Sequence, residues 1–125
     1  MDFAIPSHVL EIRERVERFI EKHVYPAEAD LEVRSDARGD AMRKLMDKAK
    51  EEGLWALGHP VEIGGQGLPF LDYVFVNEVV GRSSAAMVAL GTHSLQDSIM
   101  LHLHASKEWR DRYLQPLVDG EIFPS

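Results

Sequence analysis

Apolar side chains recur at helical spacing near the start of the chain, and this pattern constrains the fold more than any other feature. From Ser7 to about Tyr25, apolar residues return every three or four positions and the positions between them are mostly charged. The pattern predicts an amphipathic surface helix that Ser7 caps and that Pro26 ends, because proline lacks the N–H that continues a helix. The apolar positions are Val9, Ile12, Val16, Phe19, Ile20 and Val24, and the predicted ion pairs are Glu11 with Arg15 and Glu14 with Arg18.

A second helix is expected after a polar stretch. Residues from Ala27 to Arg38 predict a loop with at most a short helical turn. Asp40 is the predicted cap of the helix that follows, and Gly53 is the predicted left-handed residue after its end.

Residues 70–80 are rich in β-branched and aromatic side chains, which propensity alone would place in a strand. The segment is longer than a usual strand, Pro69 suits the start of a helix, and Gly81 can end one. Because apolar residues occur on nearly every side, we predict a central, buried helix.

The last third of the chain predicts two more helices. One begins at Ser83 or Ser84 and reaches about His104, and the other is capped by Ser106 and ends at Gly120. The residues expected to share one face of the last helix are Trp109, Tyr113 and Leu117. Together these segments predict an all-α domain, a bundle of about five helices with one long glycine-rich loop.

Composition excludes several classes of function. The 125 residues suit one domain, and the net charge of −7 disfavours binding to the phosphates of nucleic acids. The longest apolar run, Ala85 to Leu90, is far shorter than the roughly 18 residues of a membrane-spanning helix. The absence of cysteine excludes disulfides and thiol catalysis, and no secretory signal is expected from Met1-Asp2-Phe3, so we predict a cytoplasmic protein.

The six histidines raise the possibility of a metal site. His93 and His104 are eleven residues apart, or about 16 Å along a helix, whereas ligands lie roughly 2 Å from their ion. His93 with Asp97 could still be two of three ligands or a hydrogen-bonded pair, but an oriented or surface histidine is favoured. We therefore predict no metal site.

The glycine-rich segment Gly64-Gly65-Gln66-Gly67 could bind a phosphate through exposed amides. Its spacing matches neither nucleotide-binding motif, and no basic residue lies between Lys50 and Arg82, so a tight turn is favoured. No serine has the context of an activated nucleophile, and no carboxylate pair is placed for acid and base work. The residues therefore identify no catalytic and no cofactor-binding group.

Five short motifs follow one another along the chain. They are His-Val-Tyr-Pro-Ala-Glu at 23–28, Gly-Leu-Trp at 53–55, Pro60 with Gly-Gly-Gln-Gly-Leu at 64–68, Asn-Glu-Val-Val-Gly-Arg-Ser at 77–83, and Arg-Asp-Arg-Tyr-Leu-Gln-Pro-Leu at 110–117 with Gly-Glu at 120–121. In order and spacing they resemble the N-terminal domain of the acyl-CoA dehydrogenase family over essentially the whole chain. Two departures are Ala105, where the family usually has glycine, and Trp109, which replaces a polar residue.

This resemblance implies that residues 1–120 are the N-terminal helical domain and that 121–125 begin the connection to an absent β-domain. It implies a flavoprotein of fatty acid metabolism, which desaturates the Cα–Cβ bond of an acyl-CoA thioester. In such an enzyme a glutamate removes the α-proton, FAD accepts the β-hydride, and electrons pass to an electron-transfer flavoprotein. It also implies a homo-oligomer, commonly a tetramer. The family's flavin-binding motif and catalytic glutamate lie outside these 125 residues, so the chain alone is expected to be inactive and without FAD.

The same resemblance places part of the acyl-cavity wall on the long helix that matches Ser84 to His104. The positions assigned to substrate binding are Ala89, Thr92, Leu95 and Gln96. Packing against neighbouring helices explains their small or mixed character equally well, since pockets and helix contacts both use small residues. Replacement of Ala89 with phenylalanine is expected to shorten the acyl chains that the full enzyme accepts. The alternative to a dehydrogenase domain is a stand-alone helical interaction module of the same fold without catalysis.

Overall fold

The computed structural model describes residues 3–32 and 36–124, and all regular structure within these ranges is helical. The prediction of an all-α fold is therefore confirmed. The α-helices are α1 Ser7–Phe19, α2 Tyr25–Glu32, α3 Asp36–Glu51, α4 Phe70–Val80, α5 Ser84–Ala89, α6 Leu95–His104, α7 Lys107–Trp109 and α8 Gln115–Val118. Two π-helical segments, Ile20–Val24 and Arg110–Leu114, join α1 to α2 and α7 to α8, and the described ranges thus form six helical rods.

Each of these two joined rods contains a proline two residues after the end of its π-helical segment. The prediction that Pro26 ends the first helix is wrong, because the rod continues through it to Glu32. The Tyr25 N–H donates to the carbonyl of Ile20, five residues earlier. This wider turn changes the hydrogen-bond register before the proline, whose ring would otherwise meet the carbonyl four residues back. Pro116 occupies the equivalent place in the first turn of α8.

Several predicted helix starts are corrected. Pro6, not Ser7, takes the N-cap position of α1, and no side chain caps it. Asp40 is not a cap, because α3 begins four residues earlier and includes it. The loop predicted from Ala27 to Arg38 is largely helical at both ends, and its residues 33–35 lie outside the described part. Gly53 has the predicted left-handed conformation, with φ of +69°.

The core lies between the first rod, α3, α4 and α5. The apolar positions predicted for the first helix are buried there, except that Ile12 is partly exposed. The charged face makes one predicted ion pair, Arg18 with Glu14 at 4.0 Å. Arg15 instead donates to the backbone carbonyl of Glu52, which ties α1 to the end of α3.

Helix α4 is a helix, as predicted, but it is not buried on all sides. Tyr73, Val76, Val79 and Val80 face the core. Phe70, Leu71 and Val74 are 73%, 75% and 46% exposed. The prediction of a central helix is wrong, because the described residues supply packing partners for only one of its two apolar sides.

The long helix predicted to reach His104 is two helices. Its start is as predicted, since the Ala86 N–H donates to the hydroxyl of Ser83 at 3.3 Å. The chain then bends at Gly91, which has φ of +72°, and passes through the 3₁₀ turn Thr92–Ser94 before α6. The Ala56 N–H donates to the Leu90 carbonyl at 3.0 Å, so a carbonyl that would continue the helix is used by the loop between α3 and α4.

The last rod begins as predicted, with the Trp109 N–H donating to the hydroxyl of Ser106 at 3.3 Å. The rings of Trp109 and Tyr113 lie 5.2 Å apart, and Leu117 is buried further along the same rod. Ala105 has φ of −76° and ψ of 156°, an extended conformation that alanine adopts without strain. The junction therefore does not require the glycine that the family usually has there.

Candidate functional site

The four positions assigned to the acyl wall lie on both sides of the bend between α5 and α6. Ala89, at the end of α5, is fully buried in the hydrophobic core. Thr92 is 9% exposed, and its hydroxyl donates to the carbonyl of Met87 at 3.1 Å. Leu95 is partly exposed and Gln96 is exposed at the start of α6. The bend therefore separates residues that a straight helix would have aligned, and Ala89 does not reach the surface.

The interior of the bend is polar, which the sequence alone did not indicate. His59, from the loop between α3 and α4, is 1% exposed, and its Nε2 lies 3.1 Å from the hydroxyl of Ser94. The Ser94 hydroxyl donates to the carbonyl of Gly91 at 3.2 Å. Since that hydroxyl has one hydrogen, which the Gly91 carbonyl accepts, the His59 Nε2–H is the donor to its oxygen.

Burial, and to a smaller extent the neighbouring His93, lower the pKa of His59 from 6.5 to about 4, although Ser94 acts in the opposite direction. His59 Nδ1 has no hydrogen-bond partner in the described residues, and neither has the hydroxyl of Ser98, which is 0% exposed. The core at the bend therefore encloses uncharged polar groups.

His93 lies beside this cluster, against residues 119–124, which we name the C-terminal segment. Both of its ring nitrogens are enclosed without a hydrogen-bond partner in the described residues, and its ring lies 5.4 Å from that of Phe123. Burial lowers its pKa, while the nearby Met87 carbonyl and Asp97 act in the opposite direction. His93 also lines an open cavity of about 760 Å³ between α3 and the C-terminal segment. No group of three His, Asp or Glu residues within the described ranges could hold a metal ion.

The glycine-rich segment closes on itself. The amides of residues 64–67 donate to the carbonyls of Val61, Pro60, Ala56 and His59, at 2.9 to 3.1 Å. A side chain at Gly65 would collide with the backbone of His59. The interpretation of this segment as a tight turn is confirmed, because its amides are already used and cannot surround a phosphate.

Among the exposed apolar side chains of the described residues, two groups lie on helices. The first, which we name the α4 face, consists of Phe70, Leu71 and Val74. The second, the α6–α7 face, consists of Met100, Leu103 and Trp109, with exposed fractions between 52% and 61%. Grouped apolar exposure of this kind is typical of surfaces that contact another domain or protein. None of the described helices has the length and hydropathy that crossing a bilayer requires.

A family model for the N-terminal domain of acyl-CoA dehydrogenases matches residues 7–121. The chain belongs to the acyl-CoA dehydrogenase family, as the N-terminal helical domain of that family's fold.

Individual relatives agree with this assignment. The chain is 34% identical over 132 aligned residues to the "Probable acyl-CoA dehydrogenase FadE2" of Mycobacterium tuberculosis, covering 98% of this chain and 32% of that protein. It is 26% identical to the mitochondrial isovaleryl-CoA dehydrogenase of Pongo abelii, covering 89% of this chain and 26% of that protein. A solved structure, "Structure of a putative acyl-CoA dehydrogenase from Mycobacterium abscessus", superposes with a TM-score of 0.79 at 28% identity, over 96% of this chain and 33% of that chain. The chain thus spans about a third or less of these relatives.

The family is FAD-dependent, and the described residues do not by themselves fit that cofactor. The glycine-rich segment has no free amides for the diphosphate, and the two enclosed histidines face the core and the C-terminal segment. The features that sequence reasoning missed are Gly91 and His59. A glycine inside a helical pattern was the available signal for the bend.

Proposed function

We propose that this chain is the N-terminal domain of an FAD-dependent enzyme that desaturates acyl-CoA thioesters between Cα and Cβ. Residues 1–120 form the domain and residues 121–125 begin the connection to a β-domain. The observation that carries the proposal is the family match over residues 7–121 in a chain that spans about a third of the length of its relatives. The catalytic glutamate and the flavin site are expected in the remaining two thirds, so the chain alone is inactive.

Within such an enzyme, this chain contributes part of the acyl-cavity wall. The bend presents Thr92, Leu95 and Gln96 at or near the surface, and Ala89 supports them from the core side. Apolar and small polar side chains suit contact with an alkyl chain. The two exposed apolar surfaces, the α4 face and the α6–α7 face, suit contact with further domains or partners.

The remaining properties of the full enzyme belong to the same proposal. FAD would accept a hydride from the substrate, and an electron-transfer flavoprotein would take the electrons onward. The assembly is a homo-oligomer, and its location is the cytoplasm.

The test uses the natural gene product that carries these residues. Native mass spectrometry with visible absorbance should show a subunit about three times as heavy that carries flavin, and the purified protein should oxidise a series of acyl-CoA thioesters. The isolated 125-residue chain should show neither property. A natural product that ends at Ser125 and carries no flavin would contradict the proposal.

That contradicting result would support the alternative, a stand-alone helical interaction module. The two exposed apolar faces also suit such a module, because a docking domain must present apolar surface to its partner. The two functions differ in what covers these faces. In a dehydrogenase they are covered within one assembly, and in a module they stay open until a separate protein binds.

A further inference from the structure

Trp55 contacts two segments that are far apart in sequence and both matter for the proposed function. Its indole is 9% exposed, and its Nε1–H donates to the carbonyl of Val118 at 3.0 Å. Its backbone carbonyl accepts from the side chain of Gln66 at 2.8 Å, so the residue is held at both ends. The neighbouring Ala56 has φ of 52°, a conformation that residues other than glycine rarely adopt. The loop is thus bent to bring this indole into place.

Two glycines with positive φ pack directly against the ring. A Cβ at Gly91, in the bend between α5 and α6, would lie 2.8 Å from the indole. A Cβ at Gly120, in the turn after α8, would also lie 2.8 Å from it, and 2.4 Å from the end of the flexible Met46 side chain. Both approaches are closer than any side chain allows, so each segment has a glycine where the ring touches it.

A lysine reinforces the contact with the C-terminal turn. The Lys50 ammonium lies 4.6 Å from the centroid of the Trp55 ring, a cation–π distance, and it donates to the carbonyl of Asp119 at 2.8 Å. The turn at 118–120 is therefore bound through two neighbouring carbonyls, one to the indole and one to the lysine that lies over the indole.

We propose that Trp55 is a positioning residue that couples the bend at Gly91 to the turn at Gly120. Through the bend it sets the placement of Thr92 and the start of α6. Through the turn it sets the direction in which the chain leaves the helical domain. The coupling itself follows from the contacts of this chain, and its consequence for substrate selection rests on the proposed function.

The coupling is tested by hydrogen exchange on the full natural gene product. Trp55→Phe removes the indole N–H that donates to the Val118 carbonyl. It also removes the outer part of the indole, whose carbon atoms touch both glycines. Amide exchange in residues 90–94 and in residues 118–122 should rise together, by about fivefold or more, with α1 unchanged. Trp109→Phe is the matched control, since that indole is 57% exposed and its ring packs against Tyr113, and it should leave both unchanged. A rise in only one segment, or an equal rise in α1, would overturn the proposal.

A second variant tests the route of the coupling. Gly120→Ala places a methyl group against the indole and the end of the Met46 side chain, and it should raise exchange at residues 90–94, although it is remote in sequence. In a Trp55→Phe background the same substitution should have a clearly smaller effect on that segment. Equal effects in both backgrounds would show that the two segments do not communicate through Trp55 and would overturn the coupling.

The consequence for the enzyme has its own readout. If the full protein oxidises acyl-CoA thioesters, Trp55→Phe should change KM across a series of acyl-chain lengths more than it changes kcat, because the cavity wall moves and the reacting groups do not. A uniform loss of kcat would overturn this consequence. If the protein oxidises no thioester, the proposed function fails, and the exchange experiments still decide whether the coupling exists.

Discussion

Helices α1 and α4 pack against each other but differ in how completely this domain satisfies them. Helix α1 has one apolar stripe, and Val9 and Val16 on it are fully buried. Helix α4 is apolar on both sides, with Val76 fully buried and Leu71 75% exposed. Both helices pack into the same core, so they differ in how many of their apolar sides the described residues cover. Helix α1 is complete within the domain, whereas α4 has a side for which the described residues provide no cover.

The largest expected effect is on the buried side of α4. Val76→Asp places a carboxylate at a position with no solvent access, and it should lower the free energy of unfolding by about 4 kcal/mol or more. Urea denaturation followed by circular dichroism would measure the loss. A stable Val76→Asp protein would show that the side of α4 that faces α1 is not the packed one.

The next largest effect is a pH dependence of the free energy of unfolding, caused by His59. This residue follows Gly58, which packs against the ring of Tyr73 on α4. The folded-state pKa of His59, about 4, is below the ordinary 6.5. As the pH falls, the unfolded chain therefore takes up a proton on His59 at a higher pH than the folded chain does. The free energy of unfolding should be highest above about pH 6.5 and should fall by about 3 kcal/mol between pH 6.5 and pH 4. His59→Gln should flatten this dependence in urea titrations at several pH values. His8→Gln, at a 63% exposed side chain, is the control and should preserve it.

Ala89→Phe should have an intermediate effect. Ala89 is 0% exposed in the core, so the larger ring is expected to overpack it and lower the free energy of unfolding by about 2 kcal/mol. Thermal unfolding measures this, alongside the acyl-chain preference of the full enzyme. A variant of unchanged stability that accepts only shorter acyl chains would place Ala89 at the cavity and remove it from the packing role.

The smallest effect on stability is expected on the open side of α4. Leu71→Asp, the same type of change as at Val76 but at an exposed position, should shift the free energy of unfolding of this chain by less than about 0.5 kcal/mol. It should, however, reduce binding of a hydrophobic dye to the isolated domain. A large loss of stability would mean that Leu71 is already covered within the domain, and the contrast between α1 and α4 would disappear.

Much of the fold could be predicted because helical periodicity and capping are local. The buried stripe of α1, the helical state of residues 70–80, and the caps at Ser83 and Ser106 all depend on residues within a few positions of one another. The errors have the opposite origin. Pro26 is tolerated through a change of hydrogen-bond register, and the bend at Gly91 exists because Trp55 and Ala56 approach it from a distant loop.

The candidate site shows the same division. The sequence placed the predicted acyl wall in residues 89–96, which stays a prediction, and arranged this segment as one helical stripe. The structure places Ala89 in the core and Gln96 at the surface, on opposite sides of the bend. His59 joined this region only in three dimensions, 35 residues before its partner Ser94.

By itself, the sequence determined the family, the helical class and the apolar faces that each helix must bury, because these depend on residue order and short-range spacing. Only the tertiary structure decided which of those faces found a partner, where the long helix bends, and which polar groups were enclosed with it. Those outcomes depend on contacts between segments tens of residues apart, and the free energy of such a contact is not encoded in either segment alone.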